Sequence, residues 1–401
     1  MNKKILVIAP SSFPVTNAES IVNIKLLRAL SEDGRFDIDL VSKKSKWLTY
    51  PSAGIDSYGV QCNICTVEVD NKINFRVIWQ NLMTFIKFGT VFKGCHWAFA
   101  ALPLVTKLIN SNHYDYVLTK DSPAFLLGRY AKYKYGLKWV ASWNDPFPYD
   151  KYPKPYGKGQ DYSSIIIRQM IGKMKDADIH IFPSLRLASY MNGYLHIEAF
   201  EEKCVICPHV VLKDIDAERN TSPGTLKIIH SGNLQNPRSP QPLLKGLRIA
   251  LDTEPRMKIS ISILGKMSPS DEELSRELGV SEYVKYLKPI EYNESLALLS
   301  GFHVSAVIEA DCDEGIFMPT KVSDCMQQRI PMFAISPLNG NLNDLYQQGY
   351  IQYFADVRSS ESVSLALIKM YKDFKAGVFP EQASIKVDFL SSHIAQQYFN
   401  L

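Results

Sequence analysis

Two stretches in the second half of the chain combine residue types that could grip an anion. In LKIIHSGNLQNPRSP an apolar run ends at Gly232, which permits close approach of a ligand to the backbone, and Arg238 stands just before a helix expected from Pro242. A guanidinium fork beside a helix N-terminus suits a diphosphate. In EADCDEGIFMPTKVSDCMQQRIP, Pro319 and Thr320 predict the start of a helix, with Thr320 as N-cap and the N–H groups of Lys321, Val322 and Ser323 facing an anion. Val322, Cys325 and Met326 would then face a sheet, while Lys321 and Asp324 share the opposite side. That side offers an ammonium for phosphate and a carboxylate for hydroxyl groups. Taken alone, the same pair also reads as a surface ion pair.

The first half offers weaker chemistry. ASWNDPFPYD follows a strand and supplies Asn144 and Asp145 to orient an acceptor or take a proton, although Asp145 before Pro146 also fits a plain turn. SSFPVTNAES, after the first strand, supplies Ser11, Ser12 and Asn17 as acceptor contacts. Asp311-Cys312-Asp313 has the form of an Asp-x-Asp cation pair, and we read it as coincidence. The eight histidines show no ligand spacing, and His209 and His230 end apolar runs where structural histidines are common. The pairs Cys62/Cys65 and Cys204/Cys207 sit in apolar strand-like runs with 139 positions from Cys65 to Cys204, so buried reduced thiols are expected rather than a zinc site. Neither a metal nor a cofactor is expected.

The elements that must position these residues follow from periodicity. KILVIA is a continuous apolar strand, and Ile21, Ile24, Leu27 and Leu30 recur at helical spacing after it. FDIDLVSK, YDYVLT, LKWVAS, HIFPS and KCVICPHVV continue as strands, with helical segments between most of them and a long helical region from about Phe75 to Ile109. Alternation of this kind implies a parallel sheet with helices on its faces. LKDIDAERNTSPG is polar and ends in turn formers, so it reads as a linker. After it the alternation restarts through LKIIHSG, KISISILG, EYVKYL, HVSAVIE and IPMFAIS. The expected architecture is α/β, with two Rossmann-like domains facing each other across a cleft. Residues 1–210 would bind an acceptor, 211–385 a sugar nucleotide, and 386–401 would form a helix packing back toward the first domain, with Val387, Leu390, Ile394 and Tyr398 as its apolar stripe. A length of 401 residues and 46% hydrophobic composition suit two globular cores.

The order of Gly232, Arg238, Glu314-Gly315, Pro319, Lys321, Asp324 and Pro331 resembles the C-terminal half of retaining glycosyltransferases of family 4, which have the GT-B fold. The resemblance implies that Gly232, Asn233 and Arg238 form the donor loop, with Arg238 on the diphosphate. It implies that Asp324 holds the ribose and that Glu314 contacts the donor sugar, with Glu309 as its rival. Gly315, Thr320, Lys321 and Val322 would complete the donor site. The family's Glu-x7-Glu spacing is Glu314-x9-Asp324 here, and Asn233 replaces the first basic residue of the loop. The reaction implied is metal-independent hexosyl transfer from a nucleoside diphosphate sugar to a hydroxyl, with Arg238, Lys321, Glu314 and Asp145 as the catalytic set.

Between Asp70 and Lys175 the chain carries sixteen Lys and Arg against six Asp and no Glu, interleaved with aromatics. That make-up fits anionic lipid headgroups and a lipid-linked or saccharide acceptor, while solvated lysines over an aromatic core would give the same composition. No nucleic-acid recognition motif accompanies the charge. The N-terminal apolar run is short and lacks a cleavage site, so a cytoplasmic protein, peripheral on the inner face of the cell membrane, is expected. Competing readings are a sugar-nucleotide 2-epimerase of the same fold, a degenerate non-catalytic relative, and a two-domain solute-binding protein.

Overall fold

The computed structural model describes residues 2–45, 58–70, 72–157, 162–212, 224–380 and 384–401. They form two compact units. The first comprises the chain to Tyr152, Gly157–Val210 and Asp388–Leu401; the second comprises Pro153–Tyr156 and Val211–Val387. Most of the polar linker read from the sequence, residues 213–223, lies outside the described residues.

The first unit is built on seven strands: β1 (Lys3–Ile8), β2 (Phe36–Ser45), β3 (Asn63–Val69), β4 (Tyr116–Lys120), β5 (Trp139–Ser142), β6 (Ile179–Phe182) and β7 (Cys204–Ile206). All pair in parallel in the order β3-β2-β1-β4-β5-β6-β7. The central strands β1 and β4 are buried over nearly all their length, which is why they read as unbroken apolar runs rather than alternating ones. The long helical region divides into Phe75–Phe88, closed by Gly89 at φ +65°, and His96–Ser111. The final helix, Ser391–Asn400, belongs to this unit: Ile394, Ala395 and Tyr398 are buried, and the Tyr116 hydroxyl donates to the Tyr398 carbonyl at 3.0 Å. Val387 is 60% exposed, so the apolar stripe expected to start there starts instead at the buried Phe389.

The second unit carries six parallel strands: β8 (Leu226–Ser231), β9 (Ile259–Leu264), β10 (Val284–Leu287), β11 (Val304–Ile308), β12 (Met332–Ser336) and β13 (Tyr353–Asp356). Their order is β10-β9-β8-β11-β12-β13. The helices Gln241–Thr253 and Ser360–Lys375 cover one face with a continuous core that includes Leu243, Leu247, Val363 and Leu367. In each sheet the strand order reverses once, between β1 and β4 and between β8 and β11. At such a point successive connections leave toward opposite faces, and the loops beyond the carboxyl ends part to leave a crevice.

Candidate functional site

The crevice of the second sheet is shaped by glycine. Gly232, directly after β8, has φ +133°, a conformation strained for any other residue, and a Cβ there would overlap Cε of Lys321. Lys321 therefore lies across the β8 loop only because Gly232 has no side chain. Asn233, expected at the donor, uses its Oδ1 to accept the Lys266 N–H at 2.9 Å, which ties the loops after β8 and β9 together.

Around that loop the tertiary structure gathers four polar side chains. Glu309, one residue beyond β11, is only 4% exposed and accepts a hydrogen bond from the Tyr156 hydroxyl at 3.1 Å. The same hydroxyl accepts the Ala310 N–H at 3.3 Å, and the Arg238 guanidinium lies 6.0 Å from the Tyr156 ring centre. Burial raises the Glu309 pKa, opposed by Arg238, the Tyr156 hydrogen bond and Lys321. Burial, with repulsion from Arg238, lowers Lys321 to about 8 despite the attraction of Glu309. Two basic groups thus face one carboxylate, an arrangement with room for added negative charge. His230, in β8, is fully buried with Nδ1 3.0 Å from the Ala306 carbonyl oxygen, while its Nε2 has no hydrogen-bond partner. Burial and the nearby Lys321 push its pKa far down, so the ring is neutral and Nδ1 carries the proton donated to Ala306.

The helix Thr320–Gln327 departs from expectation at its start. Pro319 occupies the N-cap position, Thr320 is the first helical residue, and no side chain caps the end. The Val322 N–H donates to the Pro319 carbonyl at 3.0 Å, so it does not face an anion. The cause is local: Pro319 holds φ −62° and ψ 131°, outside the helical region, which leaves its own carbonyl to receive the first turn. Val322, Cys325 and Met326 are buried as the spacing predicts. Asp324 accepts a hydrogen bond from the Tyr292 hydroxyl at 2.7 Å, which orients its carboxylate.

Glu314 is half-buried on a braced loop. Its neighbour Gly315 donates to the Asn339 carbonyl at 2.8 Å and accepts the Asn341 N–H at 2.9 Å, and a Cβ on Gly340 would lie 3.1 Å from the Gly315 Cα. Asn341 Nδ2 then donates to the carbonyls of Ile316 and Phe317 at 2.7 and 3.1 Å. Gly315 thus serves close backbone packing that holds Glu314 in place. Asp311 and Asp313 both bind Arg358, at 2.5 and 3.2 Å, which accounts for that Asp-x-Asp pair as an ion-pair cluster.

The crevice of the first sheet has the opposite character. Asp121, immediately after β4, adopts φ +64° and lies beside the Glu19 carboxylate, while its buried Oδ2 has no hydrogen-bond partner. Burial and the adjacent Glu19 carboxylate raise the Asp121 pKa well above its ordinary value, with Lys120 opposing. Asn144 Nδ2 donates to the Glu19 carboxylate at 2.5 Å, and Asp145 is exposed beside them. Of the residues expected to touch an acceptor, Asn17 is engaged as a helix cap, its Oδ1 accepting the Ser20 N–H at 2.9 Å. Ser12 is buried with a partnerless Oγ, and the Ser11 carbonyl accepts from Asn23 Nδ2 at 3.1 Å.

No family model and no curated protein sequence matches the chain. Among solved structures it is similar to sucrose-phosphate synthase (tll1590) from Thermosynechococcus elongatus, with TM-score 0.64 and 13% identity over 100% of this chain and 98% of that one. The apo form of the lipopolysaccharide outer core galactosyltransferase WaaB gives TM-score 0.60 and 13% identity over 99% and 98% of the two chains. A candidate UDP-N-acetylglucosamine 2-epimerase from Listeria monocytogenes gives TM-score 0.58 and 13% identity over 100% and 95%. The chain has the GT-B fold.

Within that GT-B chain, both clusters lie at carboxyl ends of strands that flank a switch point. The sequence reading named Gly232, Arg238, Lys321 and Glu309, and gave His230 as a structural histidine, but missed Tyr156, Asp121 and Glu19. Asp121 had a usable signal, a carboxylate directly after the apolar strand YVLT-Lys120. Tyr156 had none, since its partner Glu309 is 153 positions away. The two CxxC pairs sit on or beside β3 and β7, the opposite edges of one seven-stranded sheet, roughly 29 Å apart at ordinary strand spacing. Burial raises Cys62 and Cys204 to about 11 and Cys207 to about 12, so all three are protonated thiols at neutral pH. Among the described residues no group of three His, Cys, Asp or Glu side chains could hold a metal ion.

Proposed function

We propose that the chain is a glycosyltransferase that moves a hexosyl group from a nucleoside diphosphate sugar to a hydroxyl of a lipid-linked or surface-polysaccharide acceptor, with retained configuration. Lys321 lying over Gly232 within the field of Arg238, at the β8/β11 crevice, carries this reading. As the bond from the sugar's anomeric carbon to the diphosphate breaks, negative charge grows on the departing phosphate oxygen, and two fixed cations stabilise it. The side chains thereby supply the positive charge that a metal ion would otherwise bring. Asp324, oriented by Tyr292, suits the ribose hydroxyls. Glu309 is too enclosed to meet a sugar and acts as a positioning residue for Tyr156, Arg238 and Lys321, whereas the half-buried Glu314 on its braced loop suits the donor sugar. The departing phosphate would take the acceptor proton, and Asp121 and Asp145 would orient the acceptor. Such an acceptor would be met at the inner face of the cell membrane.

The test is a thermal-shift screen of nucleoside diphosphate sugars. A donor should stabilise the wild type but not Arg238→Ala. A second reading, sugar-nucleotide epimerisation, is favoured by the likeness to the Listeria monocytogenes protein. Product analysis separates the two: release of nucleoside diphosphate supports transfer, and recovery of the epimeric sugar nucleotide overturns it.

A further inference from the structure

The helix Phe75–Phe88 is built inside out. Its buried positions are Val77, Gln80 and Thr84, two of them polar, while Phe75, Ile78, Trp79, Leu82, Phe85 and Ile86 are exposed. The exposed set recurs at steps of three and four, so it forms one stripe. Ile73 and Phe75 are 87% and 84% exposed, extending that stripe past the helix start. The inward groups are satisfied where they are: Thr84 Oγ1 donates to the Gln80 carbonyl at 2.7 Å, and Cys95 Sγ donates to Asn81 Oδ1 at 3.3 Å. The Thr84 bond lies within the helix, whereas rolling the helix over would break the Cys95–Asn81 bond that ties it to the following segment, so its apolar side remains outward. A contiguous apolar stripe of this kind marks an interaction surface.

Charge identifies what covers it. The helix contains no Asp or Glu, and Arg76 and Lys87 are exposed on it. At its C-terminal end Lys87, Arg129, Lys134 and Lys173 line a cavity of about 230 Å³ together with Tyr130 and Tyr133. Within it Arg129 pairs with Asp176 at 2.6 Å, and Lys134 donates to the Tyr130 hydroxyl at 2.9 Å. Fourteen helical residues span about 21 Å, short of the roughly 30 Å of a bilayer core, so the helix suits lying in an interface rather than crossing. Antiparallel pairing with a second copy would set Arg76 against Lys87 with no carboxylate on either helix in answer.

We propose that Phe75–Phe88 is an interfacial anchor for a bilayer containing anionic phospholipid, its stripe at the acyl boundary and its basic flank on headgroup phosphates. This does not depend on the sugar-transfer reading. The test is flotation of the full chain with phosphatidylcholine vesicles made with or without phosphatidylglycerol. Wild type should float with the phosphatidylglycerol vesicles, less so at high salt, and not with phosphatidylcholine alone. Ile78→Asp with Ile86→Asp should lower the bound fraction at least about tenfold, and so should Arg76→Glu with Lys87→Glu. Unchanged melting temperatures confirm that these exposed changes leave the fold intact. Three results overturn the proposal: no flotation of the wild type, flotation unaffected by the apolar substitutions, or a wild-type dimer that Ile78→Asp with Ile86→Asp converts to monomer while vesicles are ignored.

Discussion

At the switch point of the second sheet Arg238 and Lys321 set two basic groups around one carboxylate, Glu309; at that of the first, the carboxyl groups of Glu19 and Asp121 stand side by side with Lys120 opposing their charge. The strand orders either side of both points are alike, so topology supplies a crevice in each unit and the side chains decide what enters it. A basic crevice favours a diphosphate, whereas a carboxylate cluster favours hydroxyl groups that can donate to it. On the proposed function, that difference in charge would assign the donor to the second unit and the acceptor to the first.

The largest effect expected is from Arg238→Ala, which should abolish the donor-induced thermal shift and lower turnover about a hundredfold or more. Persistence of the shift would place the anion elsewhere. Asp121→Asn, by loosening the orientation of the acceptor, should also lower kcat, by about a hundredfold, yet leave the donor-induced shift intact. If nucleotide affinity falls with it, the contrast between the two crevices is broken. Next comes Gly232→Ala, where positive φ and the overlap with Lys321 should cost about 1–3 kcal/mol in denaturant unfolding as well as donor affinity.

Lys321 sharpens the comparison through pH. Its folded pKa of about 8 lies below the ordinary 10.5, so the ammonium is lost as pH rises through 8, and calorimetry with a nucleoside diphosphate should show affinity falling there. Lys321→Arg should flatten that fall. Stability of the ligand-free protein should move the other way: between pH 8 and 10.5 the unfolded chain holds a proton that the folded chain has released, so this group's destabilising contribution fades as pH rises. The smallest effect is Tyr292→Phe, which removes the hydrogen bond to Asp324 and should raise the donor KM by a few-fold, equivalent to about 1 kcal/mol.

Both sheets and most of their helices were legible in the chain because hydrophobic period and turn residues act over a few neighbours: KILVIA reads as a buried strand wherever it is placed. Gly232, Arg238, Lys321 and Asp324 were legible for the same reason, each sitting beside a recognisable strand end or helix start. The errors were of two kinds. Thr320 was read as a cap because its chemistry suits one, but Pro319, with ψ 131° outside the helical region, holds that position. The stretch from Asp70 to Lys175 was read as basic and aromatic, yet which aromatics face out depended on the helix Phe75–Phe88 burying Val77, Gln80 and Thr84 instead.

Composition and local period therefore settled the α/β class, the two runs of strand–helix alternation and the basic loops of the second unit. Tertiary structure alone decided that Tyr156 closes over Glu309, that Asp121 meets Glu19, and that Lys321 loses basicity. Those outcomes rest on burial and on pairs 153 and 102 positions apart, and neither desolvation nor distant proximity leaves a trace in local spacing.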